Sequence, residues 1–300
     1  MGSGLPYPLS WYQTLLNIYV NIRLIISLLT SPRIKEIGNY RKKHSITGTF
    51  PCLDPYQPQS QYICPALSEI DFPFVIPKNV TTAGPILLPA KPVSEGDPDL
   101  AAWLQRKPTI LVNLGTHARI LVEDARELAS GLRMVLARQP KLQVLWKLKS
   151  KGPLDDQISS ILNKELASDT VRIKSWLAAD PSAILQSGHI VCSVNHSGGN
   201  AFYEATGTGI PQVVLPLWYD CYDFASRVEY LGIGIRGNHR DAPHVDAEEF
   251  GLALATVVDE KSEKGRAIRE RAKALGEVCQ KAEGRVTACE RIVQLARRWE

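Results

Sequence analysis

The chain has 300 residues, of which 44% are hydrophobic, and a formal net charge of +4. That length and composition support one large or two modest domains around a real core. The mild charge gives no warrant for a nucleic-acid partner, which needs basic residues gathered on one face. The six cysteines, at 52, 64, 192, 221, 279 and 289, form no CxxC pair and no zinc spacing, so no metal site is expected. Without the basic-then-apolar layout of a secretory leader, they read as reduced thiols of a cytoplasmic protein.

Residues 15–29 form an apolar run interrupted by Asn17, Asn21 and Arg23. A membrane span needs about twenty apolar residues. The run therefore predicts an amphipathic helix facing a domain core. No integral span is expected, and contact with a membrane is at most peripheral. Prolines from Pro51 to Pro92 then punctuate the chain, making residues 1–100 loop- and helix-rich ground with short elements. Residues 93–98 read as an exposed linker.

The texture changes at residue 108. Apolar runs at 110–114, 143–148, 171–175, 189–194, 212–216 and 232–235 alternate with helical periods at 122–138, 154–167, 181–186, 201–206, 222–231 and 247–258. Continuous apolar strands joined by helices predict an α/β domain, a doubly wound parallel sheet covered on both faces. After Lys261 comes a helical tail, divided at Gly284. Its stripe of Val286, Cys289, Ile292, Val293 and Ala296 should dock on a neighbouring surface.

In such a sheet ligands bind beyond the carboxyl ends of the strands, so residues just after the strands carry the information. The densest set is Asn195-His196-Ser197-Gly198-Gly199-Asn200-Ala201, with Glu204 one turn further on. Paired glycines allow close backbone approach. A helix capped near Asn200 would offer free amides to a diphosphate, and His196 is placed to donate to the same phosphates. Glu204 can accept bonds from ribose hydroxyls. An ordinary strand-to-helix turn with a packed histidine is the competing explanation. Trp176 follows the third strand and offers a flat face to a base, although a tryptophan there also packs a core. In Trp218-Tyr219-Asp220-Cys221, Asp220 can bind sugar hydroxyls or cap a helix, and Trp218 or Tyr219 can pack on a sugar ring. Gly115 and Thr116 form a small turn able to present amides and a hydroxyl to phosphate, with His117 beside them. No GxGxxG and no P-loop lysine occur, which argues against NAD and ATP.

The order of these signals resembles the donor signature of family 1 glycosyltransferases, the UDP-sugar enzymes of GT-B fold. That signature has a tryptophan, a His-Gly-Gly-x-Asn turn, a glutamate, Gly-x-Pro and Pro-x-x-x-Asp-Gln. Here it reads Trp176, residues 196–201, Glu204, Gly209-Ile210-Pro211 and Pro216 to Cys221. The resemblance covers roughly residues 108–260 and implies a role for each position. Trp176 would stack on uracil, with the backbone of Leu177 on its edge. His196, Gly198 and Asn200 would hold the diphosphate, Glu204 the ribose and Asp220 the transferred sugar. Ser197 replaces a glycine, Ala201 a hydroxyl residue that contacts phosphate, and Cys221 the glutamine that grips glucose.

The division it implies is a partial acceptor-side domain over 1–100, the UDP-sugar-binding domain over 101–260, and helices over 261–300 docking across the two. The family's catalytic base, a histidine near the start of the acceptor domain, has no counterpart. His44 lies in a polar run and reads as a solvated residue. The expected activity is transfer of a sugar from a UDP-sugar to a hydroxyl of a small lipophilic acceptor, with inversion and without a metal or other cofactor. The alternative is a UDP-sugar-binding module that needs a partner chain to supply the missing acceptor domain.

Overall fold

A computed structural model describes residues 4–48, 56–116, 120–149 and 156–297. Six strands form one wholly parallel sheet: β3 (Thr109–Asn113), β4 (Gln143–Lys147), β5 (Val171–Lys174), β6 (Ile190–Asn195), β7 (Gln212–Val214) and β8 (Gly234–Arg236). Each falls on an apolar run read from the sequence. Their spatial order is β5-β4-β3-β6-β7-β8. The chain lays β3, β4 and β5 outward in one direction, then returns to set β6 against the free side of β3. Strand order reverses between β3 and β6, and in an open parallel sheet this reversal leaves a crevice at the carboxyl ends.

Alternation along the strands explains the two covered faces. Ile110, Val112, Val144, Trp146, Cys192, Val194 and Val213 point to one side, where α5 (Val122–Arg138) and α11 (Ala247–Val258) pack. Leu111 and Leu145 point to the other, against α4 (Pro98–Leu104) and α8 (Pro181–Leu185). A third cluster joins Phe202 of α9 (Gly199–Gly207) to Val228 of α10 (Tyr219–Tyr230) and Leu275 of α12 (Glu263–Lys281). Trp146, Phe202 and Phe250 are fully buried. Each such side chain stabilises the fold by about 1.5–3 kcal/mol.

Several expectations need correction. The helix read over 154–167 is two short helices, α6 (Asp156–Ile161) and α7 (Asn163–Ala167). The linker at 93–98 is structured as α3 (Val93–Gly96) leading into α4, because Val93 is buried in the second cluster. The loop-rich segment contributes short elements, as expected there, among them a two-stranded parallel sheet, β1 (Tyr62–Cys64) and β2 (Val80–Thr82). Ile70, between them, is fully buried in the third cluster, and Asp71 Oδ1 pairs with Arg227 Nε of α10 at 2.8 Å.

The early helix, α1 (Trp11–Thr30), faces no core: none of its residues is buried. Its partly covered positions, Gln13, Asn17, Asn21, Leu24 and Leu28, fall on one narrow face, while Trp11, Leu15, Ile18, Ile22, Ile25 and Leu29 are exposed. It is 20 residues long, because Asn17 and Asn21 do not interrupt the helix; Asn21 donates to the carbonyl of Asn17. By length and composition it is long and apolar enough to cross a membrane. α2 (Pro32–Lys43) follows it, also without a buried residue, and His44 caps α2 beside Tyr40.

The tail divides close to Gly284, into α12 and α13 (Gly284–Ala296), but the residue with left-handed backbone is Glu283. Gly284 is needed for a different reason: a Cβ there would lie 2.4 Å from the carbonyl oxygen of Pro85. The buried positions of α13 are Gly284 and Ala288. The stripe of Val286, Cys289, Ile292 and Val293 is therefore exposed instead of docked.

Candidate functional site

The site grows from two matched strand ends. β3 and β6 finish in register on Asn113 and Asn195. Asn113 Oδ1 accepts the Gly115 N–H at 3.2 Å, and Asn195 Oδ1 accepts the Ser197 N–H at 2.8 Å. Each asparagine closes a turn two residues long through its side chain. In both turns the residue so held is left-handed, with φ +87 at Gly115 and +59 at Ser197. Asn195 is itself locked by donating to Gln212 Oε1 at 3.1 Å.

A left-handed backbone costs a non-glycine residue about 1–2 kcal/mol. Ser197 bears that cost with its hydroxyl fully buried and unpartnered. Ser197→Gly is expected to raise stability by about 1 kcal/mol, after allowing for the extra freedom glycine gives the unfolded chain. The urea midpoint reads this directly, and a lowered midpoint would mean that the hydroxyl makes a stabilising bond.

Beyond the second turn, α9 starts with Gly198 as its N-cap and no side-chain cap. The amides of residues 199–201 find no acceptor among the described residues. The cap expected near Asn200 thus lies two residues earlier, and Asn200 sits inside the first turn with an exposed side chain. Free amides and the positive end of the helix dipole favour an anion there.

His196 stands at the centre. A Cβ on Gly198 would lie 2.4 Å from its Nε2, and one on Gly115 would lie 2.7 Å from its Cε1. The imidazole therefore fills the space left by two missing side chains. Trp218 packs beside it at 5.3 Å between ring centres. Burial pushes the imidazole pKa down, and Asp220 opposes the shift. Its Nδ1 is buried without a partner.

A cavity of about 450 Å³ opens over this arrangement. Of the residues singled out in the sequence, Gly115, Thr116, His196, Gly198, Asn200, Ala201, Glu204 and Asp220 line it together. Asp220 is the second residue of α10, with Trp218 at the N-cap, so it does not cap the helix.

The other site residues lie off this lining. Trp176 follows β5 and is 65% exposed, one strand beyond the cavity wall, so it does not pack a core. The Leu177 side chain is buried in the second cluster, while its backbone N–H and C=O have no partner among the described residues. Tyr219 is half exposed and is not among the residues lining the cavity, which Trp218 joins. Cys221 is fully buried, and burial pushes its thiol up. It is a packing residue and does not contact the cavity, which corrects its expected place beside the sugar. Ser197 likewise supports the turn from beneath. His117 lies outside the described residues.

Sequence reading missed Lys147, the last residue of β4, which also lines the cavity. Its signal was available: a lysine closing the otherwise apolar run Val144-Leu145-Trp146.

Glu204 lies in the cavity wall. Burial, and then the charge of Asp180, pushes its carboxyl from the ordinary 4.5 up to about 7. The folded protein therefore favours the neutral acid. This contribution to stability is complete at pH values below the ordinary carboxylate range and is lost as pH rises through 7. Glu204→Gln should accordingly stabilise the protein relative to wild type at pH 8 but not at pH 4.5. Equal differences in urea midpoint at the two values would contradict the shifted titration.

A reversed strand order, a helix N-terminus aimed into the resulting crevice, and a boxed-in histidine define a Rossmann-like domain with a cavity at its strand ends. Residues 44–271 match the family described as UDP-glucoronosyl and UDP-glucosyl transferase, and the chain belongs to that family. It is 43% identical to the glycosyltransferase sdnJ of Sordaria araneosa, over 98% of this chain and 61% of that protein. It is 28% identical to the 2-hydroxyacylsphingosine 1-beta-galactosyltransferase of Homo sapiens, over 87% of this chain and 43% of that one. The chain thus spans between about two fifths and three fifths of these relatives.

Among solved structures it is similar to a UDP-glucose: anthocyanidin 3-O-glucosyltransferase in complex with UDP, with a TM-score of 0.59 at 20% identity, covering 79% of this chain and 54% of that one. Os79 from O. sativa, in complex with UDP and deoxynivalenol-3-glucoside, gives 0.60 at 23%, with the same coverage. At such identities these neighbours show the GT-B fold alone.

Proposed function

We propose that the chain is the donor-binding part of an inverting glycosyltransferase that moves a sugar from a UDP-sugar to a hydroxyl of a small lipophilic acceptor. The carrying observation is the cavity in which the uncapped N-terminus of α9, His196, Glu204 and Asp220 converge. The diphosphate lies on the amides of residues 199–201, the uracil on Trp176 with its edge on the Leu177 backbone, and the ribose on Glu204. Asp220 holds the sugar.

The acceptor oxygen attacks the anomeric carbon, the bond to the diphosphate breaks, and UDP leaves as an anion. The helix terminus and a neutral His196 donating from one ring nitrogen stabilise the charge that develops. Stabilisation of this kind comes from the chain's own donors, so the reading includes no metal and no further cofactor. The acceptor proton must pass to a base, and this reading places that base on the acceptor side of the cleft.

Two exposed apolar faces support contact with a further polypeptide, in the same protein or a partner chain. One is the outer face of α1, the other the Val286–Ile292–Val293 stripe of α13. Contiguous exposed apolar surface of this kind marks an interaction site. Titration with UDP, followed by an assay of UDP release from UDP-glucose with and without a candidate acceptor-side polypeptide, tests the proposal. UDP binding with release that depends on the added polypeptide is expected. Failure of the chain to bind UDP would overturn it.

A further inference from the structure

Lys147 has no assigned role in the account so far. It closes β4, and only 8% of the residue is exposed. Its apolar stem is covered and the ammonium faces the cavity; a lysine drawn in this far is usually paired with a carboxylate. Among the described residues the ion pairs involve Arg106, Arg172, Arg227, Arg240, His239 and His244, and never Lys147. Lys149 repels it; burial first and Lys149 second push its pKa down. What the ammonium does touch is the face of Trp176, with Nζ 4.6 Å from the ring centre. That contact is a weak hold compared with a carboxylate partner.

The position is as informative as the missing partner. β4 lies between β5, which leads to Trp176, and β3, which leads to Gly115 and Thr116. Lys147 therefore stands between the indole and the turn beside His196, and it lines the same cavity as Asn113, His196 and Gly198.

We infer that Lys147 is the counter-charge for the diphosphate of the donor, and that it moves from the indole of Trp176 to the phosphates when the donor enters. This rests on the donor-site reading above. The unpaired cation at the cavity wall is then a positioning device with two stations. In the empty site it rests on Trp176. With the donor bound, it makes charge-assisted bonds to phosphate oxygens and leaves that face of the indole clear for the base.

The test is Lys147→Met, which keeps the length and apolar stem and removes the charge. UDP and uridine are titrated calorimetrically into wild type, Lys147→Met and Lys147→Arg, at two salt concentrations, with thermal melts to confirm folding. UDP affinity should fall on the order of tenfold in Lys147→Met, the scale of a lost bond to a charged group. Uridine, which has no phosphate, should bind that variant as well as wild type or better. Lys147→Arg should recover most of the UDP affinity, and the salt dependence of UDP binding should be shallower in Lys147→Met. UDP binding unchanged in Lys147→Met would overturn the inference and leave the donor site standing. Equal loss for UDP and uridine would also overturn it, by making Lys147 a packing residue. A wild type that takes up uridine but not UDP would remove the donor-site reading and this inference together.

Discussion

Gly198→Ala is expected to remove measurable UDP binding and to destabilise the fold by about 1–3 kcal/mol, the range for overpacking a filled site. The added Cβ would sit 2.4 Å from Nε2 of His196. Gly115 closes one side of the ring, within 2.7 Å of a would-be Cβ, and Trp218 packs at 5.3 Å, so the open direction left to the imidazole is into the cavity. Relief must come from moving either the imidazole or the first turn of α9, and both belong to the proposed phosphate site. Gly115→Ala should behave similarly, with a further cost of about 1–2 kcal/mol because its φ is +87. Gly38→Ala is the control: nothing lies within 4 Å of its Cβ position, and Gly38 is inside α2. It should be neutral or slightly stabilising. Urea unfolding and UDP titration of the three variants check this together. Full UDP affinity in Gly198→Ala would show that His196 is not part of the phosphate site.

Trp176→Ala should weaken UDP binding by about 1–3 kcal/mol, the scale of base–aromatic stacking, or roughly five- to 150-fold. Folding stability should hardly change, since the indole is 65% exposed and belongs to none of the buried clusters. That combination separates a ligand contact from a packing residue. Trp146 on the neighbouring strand is fully buried, and its truncation should cost stability of about 3–5 kcal/mol instead. Trp176→Ala protein that binds UDP as tightly as wild type, by calorimetry, would remove the stacking role.

Much of the sheet was legible because its strands are continuous apolar runs with helices between them. That pattern follows directly from burial on both faces, and all six strands lie where it falls. Most of the cavity was legible for a related reason: its residues follow strand ends, where the fold puts ligands. The misreadings share a different cause. Cys221 is placed by spacing, and spacing does not reveal that the helix turns this residue into the core. Lys147 was legible as a lysine closing an apolar run, but a single charge at a strand end breaks no period and matches no motif, so it draws no attention. The pairing of Asn113 with Asn195 depends on strand register, which joins segments 82 residues apart in sequence. α1 and the stripe on α13 carry apolar patterns that imply a covering surface. A pattern can state that need without naming the surface, and in this chain both faces stand open.

The most direct measurement is a crystal structure of the chain with UDP bound. The account predicts diphosphate oxygens about 2.7–3.2 Å from the amide nitrogens at residues 199–201, the imidazole of His196 within hydrogen-bonding reach of the same group, and the uracil flat against Trp176. A diphosphate bound away from the start of α9, or a uracil on the far side of the sheet from Trp176, would contradict it.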